Sequence, residues 1–329
     1  MKSILVTGGA GYIGSHAVRV LVDSGYSVTV IDNLSKGHQA AVDNRAVFLK
    51  MDLADAEEIK KLFSGKSFDA VLHFAGSIEV GLSMKEPALF FKNNVVNGLN
   101  LLEAMRAGNC RKIIFSSTAA VYGNPKKNPI AEDAELNPTN FYGESKLMFE
   151  QVLQKYREFY GFEFVALRYF NAAGADASGQ MGQDYSPDTH LIPRLLKTVL
   201  GKYESLQVFG TDYETKDGTC VRDYIHVTDL VNAHLLALEY LLKGGKSDCF
   251  NLANGNGFTV REVIAAAEKI TGKKIKVQES ARRAGDPPIL IADSSKAKKV
   301  LGWNPRFSLD EIIMSAWKWH SENPEGYTS

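Results

Sequence analysis

The apolar run Ile4-Leu5-Val6 breaks straight into Gly8-Gly-Ala-Gly-Tyr-Ile-Gly14, and the glycines at 8, 11 and 14 fall where a strand would turn into a helix. Ile13, Ala17, Val20 and Leu21 then share one helical face ending near Gly25, and Val28-Thr-Val-Ile31 reads as a second strand closing on Asp32. Strand, glycine turn, helix and strand in that order require a parallel pair, because parallel neighbours need a crossover connection. Further strands are expected at 47–49, 70–74, 113–115 and 164–167, with helical stretches between them. The expected fold is α/β, a doubly wound parallel (Rossmann) sheet.

After about Asn171 the rhythm changes: residues 174–188 are rich in Gly, Ser and Asp, and helical patterns return at 191–200, 229–242, 260–271, 294–301 and 309–320. A second, smaller α/β substrate lobe is expected there. The division predicted is 1–172, joined by 225–254, for the dinucleotide-binding unit, and 173–224 with 255–329 for the other.

Lys plus Arg and Asp plus Glu each total 38, so no charge excess points to nucleic acid or a membrane surface as partner. A small molecule is expected instead. Cys110, Cys220 and Cys249 are odd in number and far apart, with no Cys-x-x-Cys, which predicts buried free thiols, no disulfide scaffold and no metal site. No apolar run reaches the roughly 20 residues of a membrane span, and a cytoplasmic location is expected.

The glycine triplet has a division of labour: Gly8 permits the tight turn, Gly11 lets backbone approach a pyrophosphate, and Gly14 lets helix and sheet pack closely. Glycines also serve turns with no ligand. Asp32, about 20 residues on at a strand end, favours a dinucleotide over a mononucleotide or vestigial site, since a carboxylate there accepts hydrogen bonds from a ribose diol and repels a 2′-phosphate. NAD is therefore expected over NADP, with Lys36 nearby as the residue that argues the other way. Asp52-Leu53 and Phe74-Ala75-Gly76 fall at further strand ends bordering the same crevice, where ordinary loop residues are the alternative.

In Phe141-Tyr-Gly-Glu-Ser-Lys-Leu, Tyr142 and Lys146 stand four residues apart. On a helix such a pair faces the same way and can address one substrate oxygen. The spacing predicts a helix starting around Asn137-Pro138-Thr139, carrying Met148, Val152, Tyr156 and Phe159 as an apolar stripe and ending at Gly161. A second Tyr-x-x-x-Lys, Tyr122 and Lys126, encloses Gly123-Asn124-Pro125, whose turn chemistry aims the two side chains apart. A free tyrosine ionises near pH 10, so a phenolate at neutral pH needs a drop of about three pH units, roughly 4 kcal/mol. Burial opposes it, while a cation about 5 Å away supplies on the order of 3 kcal/mol, so Lys146 and the positive nicotinamide of NAD⁺ together would suffice. Thr118, at the end of the strand carrying Ile113-Ile-Phe-Ser-Ser117, is placed to bond the same oxygen.

These residues resemble the extended short-chain dehydrogenase/reductase superfamily and, within it, the UDP-hexose 4-epimerases. The likeness runs through Thr7–His16, Ile31-Asp-Asn-Leu34, His73-Phe-Ala-Gly76, Ser116-Ser-Thr-Ala-Ala-Val-Tyr-Gly123, Tyr142-Gly-Glu-Ser-Lys146, Leu167-Arg-Tyr-Phe-Asn171, residues 217–226 and Arg282-Arg-Ala-Gly-Asp286. The resemblance implies reversible inversion at C4 of a UDP-hexose, with Tyr142, Lys146 and Thr118 catalytic. It implies cofactor contacts from Gly8, Gly11, Tyr12, Ile13, Gly14, Asp32, Asn33, Asp52, Leu53, Phe74, Ala75, Gly76, Asn93, Ser116, Lys146 and Tyr169. Substrate contacts would come from Thr118, Tyr142, Asn171, His190, Leu191, Phe209, Arg222, Arg283, Asp286 and Leu290, with the two arginines on the diphosphate, Asp286 on the uridine ribose and Phe209 near the uracil. A homodimer pairing through residues 87–107 and 142–160 is implied as well.

Three positions depart from the familiar pattern: Ser77-Ile78 stands where lysine is frequent, His190 where asparagine is, and Leu290 at the sugar-pocket gate, where leucine leaves N-acetylhexosamines open as substrates. Three rival readings are distinguishable. A 4,6-dehydratase needs an acid and a base after the threonine, where this chain has Ala119-Ala120. An NAD-sensing regulator would not turn over UDP-galactose, and a net dehydrogenase would accumulate NADH.

Overall fold

The structure is a computed structural model that describes residues 1–283 and 286–327. It opens with β1 (Ser3–Thr7), α1 (Tyr12–Asp23), β2 (Ser27–Asp32), β3 (Val47–Lys50), α2 (Ala56–Gly65) and β4 (Ala70–His73). Short helices α3 (Val80–Ser83) and α4 (Pro87–Phe91) run through a π-helical stretch, Lys92–Val96, into α5 (Asn97–Ala107). Then come β5 (Lys112–Thr118), α6 (Phe141–Tyr160), β6 (Glu163–Tyr169) and β7 (Asn171–Ala173). The remainder is α7 (Leu191–Val199), β8 (Leu206–Phe209), β9 (Val221–His226), α8 (Val227–Leu242), β10 (Asp248–Leu252) and β11 (Gly257–Thr259). It closes with α9 (Val260–Thr271), β12 (Val277–Ser280), β13 (Ile289–Leu290), α10 (Ser295–Leu301) and α11 (Leu309–Glu322).

Seven parallel strands form the large sheet in the order β10-β6-β5-β4-β1-β2-β3. Helices cover both faces, so the central strands are apolar without alternation: Ile4, Leu5 and Val6 are all fully buried, with Ile4 and Val6 packed on one face and Leu5 on the other. Each such side chain contributes about 1.5–3 kcal/mol by leaving water. β1 pairs with β2 on one side and β4 on the other, so successive connections leave it in opposite directions. This opens a crevice at the strands' carboxyl ends, the ligand position of doubly wound sheets. β10 at the far edge brings residues 248–252 back to this sheet, and α8 packs beside α1 against it. A four-stranded sheet of β11, β9 and β13, with β7 on β9, and a two-stranded sheet of β12 and β8 stand apart, over a core that includes Leu195, Leu196, Val263, Ile312 and Ile313.

Helix α6 departs from its sequence pattern in two ways. It begins at Phe141, because the Asn140 side chain caps it by accepting from the Gly143 amide at 2.8 Å; residues 137–139 lie outside it. Gly161 closes it at φ 68°, as expected. The predicted stripe is buried only in part: Tyr156 is buried and Val152 packs against the core, but Phe159 is 74% exposed and Met148 is exposed, and the inward face is completed by Tyr142, Ser145, Lys146, Phe149, Glu150 and Leu153. Cys110 and Cys220 are buried free thiols, while Cys249 is only half-buried, a departure from expectation.

Candidate active site

The glycine turn is closed by backbone. Gly8 has φ 71°, and a Cβ there would lie 2.5 Å from the Ala75 amide nitrogen; one on Gly14 would lie 2.1 Å from the Gly8 carbonyl oxygen. Around Gly11 the nearest atom to such a Cβ is the Gly8 oxygen at 3.3 Å, the least crowded of the three positions. This cradle, which side chains would fill, fits a pyrophosphate approaching backbone at the start of α1.

Asp32 is fixed beside it, with Oδ2 accepting from the Ala10 amide at 3.0 Å and Oδ1 from the Leu34 amide at 2.8 Å. Burial raises its carboxyl above the usual range, and those two amides oppose the rise. Leu34 sits at φ 62°, a left-handed conformation held next to the carboxylate. Lys36, the residue that argued for NADP, donates to Glu79 Oε1 at 3.1 Å and to the Ser186 carbonyl at 3.2 Å. Its ammonium is thus already engaged on the far side of the crevice.

Asn33 Nδ2 donates to Asp52 Oδ2 at 2.9 Å, joining the ends of β2 and β3, and the Leu53 carbonyl accepts from Asn100 Nδ2 at 2.9 Å. The Tyr12 hydroxyl donates to the Gly174 carbonyl at 2.7 Å, tying the first helical turn to the chain beyond β7, while Ile13 is half-buried. The Phe74 ring centre lies 4.7 Å from that of His234, with the rings tilted by 34°. Asn93 bonds the Ser77 hydroxyl at 2.9 Å, but its neighbour Asn94 makes the larger junction. Asn94 accepts from the Ser77 amide at 2.7 Å and donates to the Ser77 carbonyl at 3.0 Å and to Ser145 Oγ on α6 at 2.9 Å. The π-helical turn that carries Asn94 has no sequence signature, so this residue was missed.

Tyr142 and Lys146 both face the sheet, 9% and 3% exposed. Lys146 Nζ donates to the Ser116 carbonyl at 3.0 Å and lies 4.9 Å from the Phe115 ring centre, close beside Gly76. No hydrogen bond joins it to Tyr142. The phenol instead faces Thr118, whose Oγ1 accepts from the Ala120 amide at 3.1 Å. Burial raises Tyr142 above its usual range and the Thr118 hydrogen bond opposes it; burial lowers Lys146 to about 8, with the Glu150 charge opposing. Among the chain's own groups, burial therefore outweighs the attraction expected from Lys146, and phenol ionisation needs added positive charge in the crevice.

Tyr169 Oη and Ser116 Oγ are 2.5 Å apart, with Tyr169 raised by burial and then by nearby Tyr142. Tyr185, absent from the expected set, is raised to about 12 by burial, with Asp32 and Tyr142 adding to it. Buried Gln183 was also missed. Its Nε2 donates to His190 Nδ1 at 2.8 Å, which leaves the His190 proton on Nε2. Neither residue has a sequence signal beyond lying in the Gly/Ser/Asp-rich stretch. The decoy separates as expected: the Tyr122 hydroxyl donates to Asn251 Oδ1 at 2.7 Å, while Lys126 pairs with Glu135 at 2.8 Å on the surface.

Of the expected substrate residues, Arg222, Asn171 and Leu290 lie on β9 and the strands paired with it, while Phe209 is on β8 in the two-stranded sheet. Arg222 meets Asp286 at 2.5 Å, and the Arg283 guanidinium lies 4.0 Å from the Phe209 ring centre. Leu290 pairs opposite Arg222 across β13 and β9 and packs on the group containing Ala119 and Val121. Asn171 Nδ2 donates to the Asp223 carbonyl at 2.9 Å, and His190 and Leu191 begin α7. Ala284 and Gly285 of the Arg282–Asp286 motif lie outside the described residues. Among the described residues, no acidic, His or Cys group is arranged for a metal ion, and no helix is long and apolar enough to cross a membrane.

The profile described as the NAD dependent epimerase/dehydratase family matches residues 4–253. The UDP-glucose 4-epimerase of Halalkalibacterium halodurans is 49% identical over 328 residues, covering 99% of this chain and 98% of that protein. That of Streptococcus mutans is 50% identical with the same coverage. The Bifidobacterium longum UDP-glucose 4-epimerase, solved in complex with NAD+ and UDP, superposes with a TM-score of 0.94 at 38% identity, covering 99% of this chain and 100% of that one. Family profile, full-length relatives and superposition agree, and the chain belongs to the NAD dependent epimerase/dehydratase family.

Proposed function

We propose that the protein catalyses reversible C4 epimerisation of UDP-galactose and UDP-glucose through a 4-keto sugar. The observation that carries this reading is the Tyr142 hydroxyl set against Thr118, with Lys146 one helical turn away, at the carboxyl ends of strands that also hold the glycine cradle. Relatives named UDP-glucose 4-epimerase along the whole chain support it. Residues 1–172 with 225–254 form the dinucleotide-binding unit in this reading, and 173–224 with 255–329 the sugar-nucleotide lobe.

The cradle, Asp32 and the engaged Lys36 suit NAD. When bound there, NAD supplies the acceptor and donor of the C4 hydride and a positive ring beside Tyr142. Tyr142 takes the proton of the 4-hydroxyl and gives it back, Thr118 orients that oxygen, and Lys146 holds positive charge in the crevice. Arg222 and Arg283 bind the diphosphate, Asp286 the ribose and Phe209 the uracil. Asn171, His190 and Leu191 border the sugar, and Leu290 leaves room for an N-acetyl group.

With catalytic protein, UDP-galactose is converted to UDP-glucose without bulk NADH, and UDP-N-acetylgalactosamine turns over measurably. Failure to convert UDP-galactose with NAD bound would defeat the reading in favour of a sensor, and accumulating NADH would favour a net dehydrogenase.

The outward faces of the helices at 87–107 and 142–160 expose Leu89, Val96, Met148 and Phe159, an apolar surface suited to a second copy. Light scattering is expected to give twice the chain mass; a monomer at micromolar concentration rules the pairing out. Three free thiols suit a reducing compartment, and we assign the protein to the cytoplasm.

A further inference from the structure

Two buried charges beneath the catalytic face have no part in that scheme. Glu150 lies on α6 one turn beyond Lys146 and two beyond Tyr142, and its side chain and that of Arg168 are 6% and 5% exposed. Arg168 Nη2 donates to Glu150 Oε2 at 2.5 Å and Nε to Oε1 at 3.0 Å, while Ser117 Oγ donates to Oε1 at 2.5 Å. Ser117 and Arg168 are partners across β5 and β6, and the next pair in that ladder is Thr118 and Tyr169. The network thus ties three elements together, at Ser117 next to Thr118 on β5, at Arg168 next to Tyr169 on β6, and at Glu150 one turn beyond Lys146 on α6. Arg168 Nη1 extends the network to the Tyr122 hydroxyl at 3.0 Å.

Stability alone does not explain these charges, because replacing a buried ion pair with apolar groups of similar volume is often neutral or favourable. Apolar Phe149 and Leu153 already flank Glu150 on the same helix face. We propose that Glu150 and Arg168 form a positioning pair for the reaction: Glu150 sets the rotation of α6 against β5 and β6 and holds the charge on Lys146, while Arg168 balances the carboxylate. This rests on the epimerase reading above.

The groups around the Lys146 ammonium are Glu150 on α6, His73 on β4, the Ser116 carbonyl and Phe115 ring on β5, and Asn94 beside Gly76, with Tyr142 one turn earlier on α6. Tyr169 and Arg168 lie beyond them on β6. With Tyr142 protonated, Glu150 is the one anion in that set. Its removal leaves Arg168 unbalanced, so Lys146 should lose its proton at lower pH. Removal of Arg168 leaves Glu150 unbalanced, and Lys146 should hold its proton to higher pH.

The test is a pH profile of kcat, together with the pH midpoint for acylation of Lys146 read by peptide mass spectrometry. Glu150→Gln is expected to move both the basic limb and the midpoint down by about one pH unit or more, and Arg168→Gln to move them up. A purely structural pair would lower kcat in both variants with limb and midpoint fixed, and that result overturns the proposal. Should either single variant fail to fold, Glu150→Met with Arg168→Met removes both charges together and is expected to give a smaller downward movement; an unmoved midpoint in this folded variant refutes the proposal equally. If the wild-type chain lacks epimerase activity, the parent reading falls, while the acylation midpoint still reports on the pair.

Discussion

Replacing Tyr142 by phenylalanine is expected to lower turnover of UDP-galactose at least about 100-fold, the scale of a lost general acid-base group. The ring stays in its buried slot on α6 and only the hydroxyl against Thr118 is removed, so melting temperature and retained NAD should change little. The loss should therefore appear in kcat, with KM nearly preserved. Because burial alone raises this phenol above its usual range, nearby positive charge has to bring it into play. A Tyr142→Phe protein within about tenfold of wild-type turnover removes the residue from the mechanism.

Gly14→Ala is expected to cost about 1–3 kcal/mol and to abolish NAD retention, as overpacking against rigid neighbours does. The added methyl would meet the Gly8 carbonyl oxygen at 2.1 Å, the Gly8 carbonyl carbon at 2.9 Å and Gly9 Cα at 2.9 Å, all of them backbone. That turn cannot retreat freely, since the Gly8 amide is bonded to the Ile31 carbonyl at 2.9 Å and the Gly11 amide to the Gly8 carbonyl at 3.2 Å. Gly11→Ala separates the two effects. Its methyl meets a single atom, the Gly8 carbonyl oxygen at 3.3 Å, and should lower the melting temperature far less than Gly14→Ala does, yet it stands where a pyrophosphate would approach, so NAD should still be lost. Normal melting and normal NAD content in Gly14→Ala would contradict the cradle.

The strand and turn signals were legible because they are local. Ile4-Leu5-Val6 is apolar on both sides because helices cover both faces, and the Gly8, Gly11 and Gly14 spacing reflects close approaches within one turn. The Tyr142–Lys146 spacing likewise survives as a shared face of α6. The helix's start and buried stripe were misread. Asn140 captures the Gly143 amide, and the sheet buries Lys146 and Glu150 while Phe159 stays outside, so hydrophobicity along α6 located the buried face only at Val152 and Tyr156. Asn94, Gln183 and Tyr185 escaped notice because their importance comes from partners on other segments: Ser145 for Asn94, and the Asp32 and Tyr142 surroundings for Tyr185. Gln183 matters through His190, seven residues on and around a loop.

The sequence by itself determined the parallel sheet, the glycine turn and the Tyr142–Lys146 spacing, because each follows from backbone sterics or helical periodicity within a few residues. Only the tertiary structure decided where the Lys146 ammonium points and how Glu150 and Arg168 lie beneath it. Hydrogen-bond geometry and the burial of charge depend on which distant segments converge, and chain order does not encode those distances.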